Sequence, residues 1–392
     1  MARLRIGVVF GGRSVEHDVS VITAHQFMEA MGDRHEIVPI YVTKEGLWRT
    51  GPELNDVDLH RSGKAEAAGE ACFIAPVAGT MGVTIASGSR LRGRREIPLD
   101  IVVPAIHGTF GEDGTLQGLL ALARLPFTGS GVAASAVGMD KALMKAALRD
   151  AGLPVVDHYL VETERLDRLP DEVLSAVEAT VAYPCFVKPA RVGSSVGIGK
   201  AIDGSSLLEA LDVARAYDRR ILVEPAVTGC VEINASVLGG AGREPRVSPL
   251  EQPLPLEEAL TFSDKYLRNG KGGGKSGGGM AGQVRKLPAE IPDEATKQIQ
   301  QNAAAAFRAI DASGVARIDS FYNPSTGETI VMEINTMPGS FSFYLWEAAG
   351  LSFGELGEEL LQIGLEEQRA TDRRLYWFDS DLLRADGAKT RG

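Results

Sequence analysis

The chain has 392 residues, 44% hydrophobic and 24% charged, the balance of a globular protein with two or three ordinary domains rather than of a disordered or fibrous one. Its 41 Lys and Arg against 52 Asp and Glu give a net charge of −11, which argues against a nucleic-acid or anionic-membrane partner, since such surfaces need a basic face. Three widely spaced cysteines (Cys72, Cys185, Cys230), an apolar N-terminal run too short for a secretory signal, and no stretch near the roughly 20 apolar residues of a membrane span point to a cytoplasmic protein without a disulfide framework.

Residues 4–10 are a short apolar, β-branched run, expected to form a buried parallel strand that stops at Gly11-Gly12. Val21, Ala24, Met28 and Met31 follow at helical spacing, and residues 37–42 read as the next strand, so the chain opens as strand, turn, helix, strand. Residues 46–97, rich in Gly, Ala and Arg, carry no such pattern and are expected to be a loop-rich insertion with one hairpin. A third strand is expected over 99–106. A polar glycine loop leads from it into a helix starting at Thr115, and the first domain closes at Phe127-Thr128. A helix over 138–151 ends at the stop signals Gly152 and Pro154.

Strands at 181–188 and 196–200 flank the glycine-rich turn ARVGSSVGIG, with a helix at 210–217 and a strand at 221–224. The last third carries strands near 231–238, 316–322 and 329–334, a helix over 294–310 and a C-terminal helix over 352–369, with 386–392 a frayed end. Between them lies LRNGKGGGKSGGGMAGQ, whose glycines lose too much entropy on ordering to form a fixed element without a ligand. It is either a flexible surface loop or a lid.

Two phosphate signals fail. GGRSVE after the first strand lacks the G-x-G-x-x-G spacing of a dinucleotide turn. GKGGGKS (270–276) is one residue short of a Walker A loop, follows no apolar strand and runs into more glycines rather than a helix. A better candidate is FVKPARVGSSVG (186–197), where Lys188 ends an apolar strand beside a Gly-Ser turn with free backbone N–H groups. It is either a nucleotide-phosphate site or a plain hairpin with a solvated lysine.

The C-terminal third has a sharper constellation. Arg317 and Asp319 share one face of one strand, and Glu333 and Asn335 share one face of another. If those strands are neighbours, Asp, Glu and Asn oxygens converge with apolar residues behind them. Such hard ligands, leaving room for phosphates, describe a Mg²⁺ site; otherwise the face is simply polar and wet. Pro338-Gly339 adds a turn whose N–H could face the same pocket.

Taken in order, GGRSVEHDVS (11–20), HGTFGEDGTLQG (107–118), GMDKALMK (138–145), VKPARVGSSVG (187–197), DKY (264–266), ARID (316–319) and MEINTMPG (332–339) resemble the D-alanine–D-alanine ligases of the ATP-grasp superfamily, over roughly residues 4–367. The resemblance implies an α/β (α+β) fold. An N-terminal Rossmann-like domain (1–128, with the insertion at 46–97) would carry substrate and dimer contacts. A two-part ATP-grasp fold would follow (129–223, then 224–378 with a lid loop at about 262–285), and a tail (379–392) would end the chain. It also implies the reaction: ATP phosphorylates the carboxylate of one D-alanine, and the amine of a second attacks the acyl phosphate. The setting would be peptidoglycan precursor synthesis by a cytoplasmic homodimer whose partners are small molecules. The alternatives are a ligase joining D-alanine to another amino acid, or a nucleotide-binding regulatory protein on the same fold.

The resemblance also assigns roles. Glu16 would pair with the ammonium of the first amino acid, and with Ser194 and Tyr266 would form a hydrogen-bonded trio that pins the lid. Lys141, Lys188 and Ser195 would hold ATP phosphates, and Lys265 would reach the γ-phosphate. Glu224 and Glu232 would accept from adenine and ribose, and Val227 would offer its backbone. Asp319, Glu333 and Asn335 match ligands of two Mg²⁺ (or Mn²⁺) ions. Arg317 and the N–H of Gly339 would stabilise a tetrahedral oxyanion, and His107 would stand on the substrate side. Two positions depart from the family pattern. Val192 replaces the usual glutamate before Gly-Ser-Ser. Tyr344 stands where a serine usually binds the second carboxylate, so Ser342 or the Tyr344 hydroxyl would have to replace it. The aromatic cluster Phe341, Phe343, Tyr344 and Trp346 is either core or a reshaped second pocket.

Overall fold

The computed structural model describes residues 2–86, 95–254 and 285–379. The glycine-rich stretch with Lys265 and Tyr266, and the C-terminal residues 386–392, lie outside them. Strand β1 (Arg5–Gly11) is the axis of the N-terminal layer. Its side chains are buried on both faces because alternate residues meet different partners. Ile6, Val8 and Phe10 pack with Ala24, Phe27, Met28 and Met31 of helix α1 (His17–Met31), whereas Val9 packs with Leu116 and Leu120 of the helix Thr115–Ala123. Strand β2 (Glu36–Val42) runs parallel to β1, as the opening pattern predicts.

The insertion departs from expectation. Instead of loop with one hairpin, it holds β3 (Trp48–Thr50), β4 (Glu70–Phe73), β5 (Gly82–Ile85) and β6 (Arg95–Pro98), which extend the sheet antiparallel from β2, while β7 (Ile101–Pro104) pairs parallel with β1 on the other side. The order is β6-β5-β4-β3-β2-β1-β7. These added strands have three or four residues each, too few to display a two-residue alternation. The helix expected over 138–151 is Lys141–Asp150; it starts three residues later than expected because Asp140 breaks it from a preceding helix, Val132–Met139. Asp140 takes an extended conformation, and its side chain caps the second helix by accepting from the N–H groups of Ala142 and Leu143 at 3.0 and 3.1 Å.

A four-stranded antiparallel sheet follows, from β8 (Tyr159–Glu162), β9 (Cys185–Pro189), β10 (Gly199–Ala201) and β11 (Arg220–Pro225), in the order β10-β9-β11-β8. Helix Gly204–Arg215, longer than the sequence suggests, backs it and opens on an Asp203–Ser206 capping box. Next come β12 (Val231–Gly240) and β13 (Arg243–Val247), the short pair β14 (Gln252–Pro253) and β15 (Arg285–Lys286), then β16 (Gly314–Tyr322) and β17 (Thr329–Asn335). The four long strands form an antiparallel sheet ordered β13-β12-β16-β17, covered by Ile299, Ala303, Ala306 and Phe307 of helix Asp293–Ala309. The last helix, Phe353–Asp372, returns to the N-terminal layer, where Gly357 lies so close to Met31 that a Cβ would stand 2.5 Å from its sulfur.

Candidate active site

The register of the third sheet brings the sequence constellation together. Arg317 pairs opposite Asn335, Asp319 opposite Glu333, and Asn234 of β12 opposite Asp319 on its other side. Arg317 binds Asp319 with two hydrogen bonds of 2.6 Å, and the Asn335 amide donates to Asp319 Oδ2 at 3.1 Å. With its amide turned to satisfy its surroundings, Asn234 donates to Asp319 Oδ1 at 3.2 Å and to Glu232 Oε1 at 3.3 Å. Burial pushes the Asp319 carboxyl up to about 7; Arg317 pulls against this while Glu333 and Glu232 push the same way. Negative charge therefore gathers here beyond what one guanidinium offsets.

A cavity of about 160 Å³ opens over this face, lined by Glu16, His107, Glu112, Lys141, Ser194, Ser195, Glu232, Arg317, Glu333, Asn335 and Gly339. Asp319 lies beneath it, 6% exposed. A wider groove of about 1230 Å³ is lined by His17, His25, His60 and Tyr41; Lys141, Ser195, Arg317, Glu333 and Asn335 gather at the smaller cavity, whereas Lys188, Glu224 and Val227 do not line it.

Glu16 enters the cavity at the start of α1. Its carboxylate accepts from the Ser194 hydroxyl, joining the β9–β10 turn to the N-terminal layer. The approach is tight: a Cβ on Gly108, whose φ is +71°, would stand 2.5 Å from Glu16 Oε2. Burial, then the neighbouring Glu112 carboxylate, raise the Glu16 carboxyl above its ordinary value, against the lowering effects of Ser194, His107 and Lys141. His107 Nδ1 is 3.0 Å from Glu112 Oε1 and its Nε2 is 2.8 Å from Thr23 Oγ1. Burial opposes charge on the His107 ring, but Glu112 and then Glu16 outweigh it, and its pKa is raised.

The lysines form a second cluster. Lys188 donates to Glu224 Oε2 at 2.7 Å, Lys145 lies 3.0 Å from Glu224 Oε1, and Lys141 donates to the carbonyl of Val192 at 2.8 Å. Burial draws the Glu224 carboxyl upward, yet Lys188 and Lys145 prevail and hold it below its ordinary value. Lys188 and Glu224 lie on neighbouring β9 and β11, and Val227 follows in the loop to β12. Val192, at the usual glutamate position, thus contributes a backbone carbonyl to a lysine.

Ser342 and Tyr344 do not line the cavity. Ser342 is fully buried and its hydroxyl has no hydrogen-bond partner among the described residues. The Tyr344 hydroxyl donates to Glu251 Oε2 at 2.9 Å, while the Arg285 guanidinium lies 4.2 Å over the Tyr344 ring and 2.9 Å from Glu251 Oε1. Phe341 packs on Phe27 and Phe343 stacks on Phe353, so these two rings belong to the core. Sequence reasoning missed Lys145, Glu112, Thr23 and Glu251. Lys145 had a signal, since it follows Lys141 by four residues on one helix and so shares its face. Glu251, a single carboxylate among prolines and leucines, had none.

Residues 5–130 match the family model for the D-ala D-ala ligase N-terminus, and residues 147–362 match that for the D-ala D-ala ligase C-terminus. The chain is 36% identical over 381 residues to a D-alanine–D-alanine ligase of Bacillus cytotoxicus (96% of this chain, 99% of that protein). It is 39% identical over 378 residues to D-alanine–D-alanine ligase A of Chromobacterium violaceum (94% and 97%). Among solved structures, the D-alanine-D-alanine ligase from Coxiella burnetii aligns with a TM-score of 0.74 at 29% identity, covering 95% of this chain and 97% of that one. The VanG D-Ala:D-Ser ligase from Enterococcus faecalis aligns at 0.76 and 29%, covering 92% and 99%.

Proposed function

The chain belongs to the D-alanine–D-alanine ligase family, and we infer that it joins two D-alanine molecules into D-alanyl-D-alanine while converting ATP to ADP and phosphate. The observation that carries this reading is the meeting on one cavity of a half-buried carboxylate, Glu16, with Arg317, Glu333, Asn335 and the Gly339 turn. An ammonium and a carboxylate of one small amino acid need partners of those two kinds, a short distance apart.

In this reading Glu16 receives the ammonium of the first D-alanine, with His107 on the same side, and Lys141, Lys188 and Ser195 hold ATP phosphates as fixed donors. Glu224, Glu232 and the Val227 backbone take adenine and ribose. The γ-phosphoryl group passes to the first carboxylate and ADP leaves. The second amine attacks the acyl carbon, the bond to phosphate breaks, and the amine loses its proton. Arg317 and the Gly339 N–H meet the oxyanion of the tetrahedral intermediate, a role worth about 3–4 kcal/mol per donor. Lys265 and Tyr266 belong to the same proposal as γ-phosphate and lid residues.

The donor set fits divalent cations: Asp319 and Glu333 supply hard carboxylate oxygens and Asn335 an amide oxygen. Among the described residues no three His, Cys, Asp or Glu converge closely enough to hold a metal by themselves, so phosphate oxygens would complete the shell. Two Mg²⁺ bound there would offset charge on the phosphates. Among the described residues no helix is long and apolar enough to cross a membrane. A cytoplasmic homodimer serving peptidoglycan synthesis, divided at about 128 and 223, completes the proposal.

Joining D-alanine to a different second amino acid is a variant of the same reaction, and it draws on one observation: the Tyr344 hydroxyl is engaged by Glu251. Release of ADP with D-alanine alone, with D-alanyl-D-alanine identified as product, tests the main reading; no turnover under those conditions would sink it. Glu333→Ala separates an enzyme from a nucleotide-binding protein, because it abolishes turnover only where there is turnover to lose.

A further inference from the structure

The turn that carries Gly339 is unusual. Ser340, Phe341 and Ser342 are three consecutive non-glycine residues in the left-handed region, with φ of 54°, 52° and 51°. Such backbone persists only where its surroundings hold it. Internal bonds close it, the Phe341 N–H donating to the Pro338 carbonyl at 2.8 Å and the Phe343 N–H to the Ser340 carbonyl. The external hold comes from α1, where two residues one turn apart face it. Phe27 packs its ring 5.5 Å from that of Phe341, and the Thr23 hydroxyl accepts the Ser340 N–H at 2.9 Å.

Thr23 is fully buried and does not line the cavity, but both of its partners lead there. Its Oγ1 is also 2.8 Å from His107 Nε2, and His107 Nδ1 meets Glu112. A continuous chain of hydrogen bonds therefore runs from Glu112 through His107 and Thr23 to the backbone of Ser340, one residue beyond Gly339. A threonine hydroxyl has one proton and two lone pairs. With one lone pair given to the Ser340 N–H, it can still serve His107 Nε2, donating its proton to the neutral ring or accepting with its second lone pair from the charged one. The other groups facing the ring are the Glu16 carboxylate and the Met337 backbone.

We propose that Thr23 is a positioning residue for the ligation step: its hydroxyl ties the turn bearing Gly339 to the His107–Glu112 pair, so that the Gly339 N–H and the His107 ring keep one fixed relation across the cavity. This rests on the ligase reading above for the meaning of a kcat, though not for the hydrogen bond itself.

The test compares Thr23→Val, which keeps the shape and removes the hydroxyl, with Thr23→Ser, which keeps the hydroxyl. Thr23→Val should lower kcat on the order of 100-fold, as a small misplacement of reacting groups does, with KM for ATP within about threefold of wild type and the melting temperature showing a folded protein. Thr23→Ser should recover kcat to within about threefold. An independent readout is amide hydrogen exchange at Ser340, which should quicken by about 10-fold or more in Thr23→Val and stay slow in Thr23→Ser. Thr23→Ala takes the place of the valine variant if that one fails to fold. Wild-type kcat in the hydroxyl-free variant, or unchanged exchange at Ser340, overturns the proposal. A wild type that does not turn over D-alanine overturns the ligase reading instead, and exchange at Ser340 then decides the positioning role alone.

Discussion

Arg317 grips Asp319 two residues further along the same strand, Nε to Oδ1 and Nη2 to Oδ2, each at 2.6 Å. Asp319 is buried and Arg317 is half-buried in the cavity lining, and the residue proposed to meet the oxyanion thereby also fixes a proposed metal ligand. Arg317→Met should leave Asp319 as a buried carboxylate with only an Asn335 amide and the turned Asn234 amide for partners, lowering stability by about 3–5 kcal/mol. Arg317→Lys keeps the charge but not the two-pronged geometry, and should lower kcat at least about 100-fold with a smaller stability loss. Urea midpoints and steady-state rates on both variants check this; equal stability of wild type and Arg317→Met would refute the pairing argument.

Much of that arrangement was legible from sequence. Period-two alternation in RID and EIN sets which side chains share a face, and both strands are long enough to show it. The β1–α1–β2 opening was legible for the same reason, since its apolar runs are continuous. The insertion was not, because strands of three or four residues carry no period. Nor was the start of the helix at Lys141 rather than 138: a capping aspartate near the head of a helical pattern looks like an ordinary helix residue until its backbone is seen to be extended. Glu251 and Thr23 were invisible because their importance comes from partners 93 and 317 residues away.

Glu16 should carry opposite demands for stability and for binding. Its carboxyl is raised by burial and by Glu112, so between the ordinary value of 4.5 and its higher folded value the native state holds more protons than the unfolded one. Stability without substrate therefore falls as pH rises through that window. Glu16→Gln should flatten the fall. The same change should raise KM for the first D-alanine on the order of 100-fold if Glu16 is the proposed partner of the ammonium. Melting temperatures from pH 4.5 to 8.5, alone and with D-alanine, read both effects; a Glu16→Gln protein that melts with the same pH slope as wild type contradicts the first.

Lys145 is the best-placed residue that no motif reading assigned a role. It is 2% exposed, lies 3.0 Å from Glu224 and donates to the Val156 carbonyl at 3.1 Å. Burial lowers its pKa, and the Glu224 carboxylate offsets only part of that. Lys145→Met fills similar space without the charge, leaving Glu224 held by Lys188 alone. The expected result is a KM for ATP raised by about 10-fold or more, with kcat at saturating ATP reduced less, since the change acts on the proposed nucleotide side. Nucleotide titration followed by fluorescence or calorimetry measures it directly. An unchanged ATP affinity would reduce Lys145 to a folding role.

Tyr344 separates two views of the second amino-acid pocket. Its hydroxyl is engaged by Glu251 and its ring carries the Arg285 guanidinium at 4.2 Å, so ring and hydroxyl have distinct structural partners. Tyr344→Phe removes only the hydroxyl. If the second carboxylate does not use that hydroxyl, the KM for the second D-alanine should stay within about threefold, at a stability loss near 1 kcal/mol for one buried hydrogen bond. Tyr344→Ser removes the platform under Arg285 and opens a cavity, which should cost about 3–5 kcal/mol and change acceptor preference when D-alanine, D-serine and L-alanine are compared at fixed D-alanyl donor. A large rise in the second KM for the phenylalanine variant would assign the hydroxyl to the substrate rather than to Glu251. The Phe and Ser variants therefore answer different questions, and only their comparison tells whether the tyrosine selects the acceptor or supports the arginine beside it.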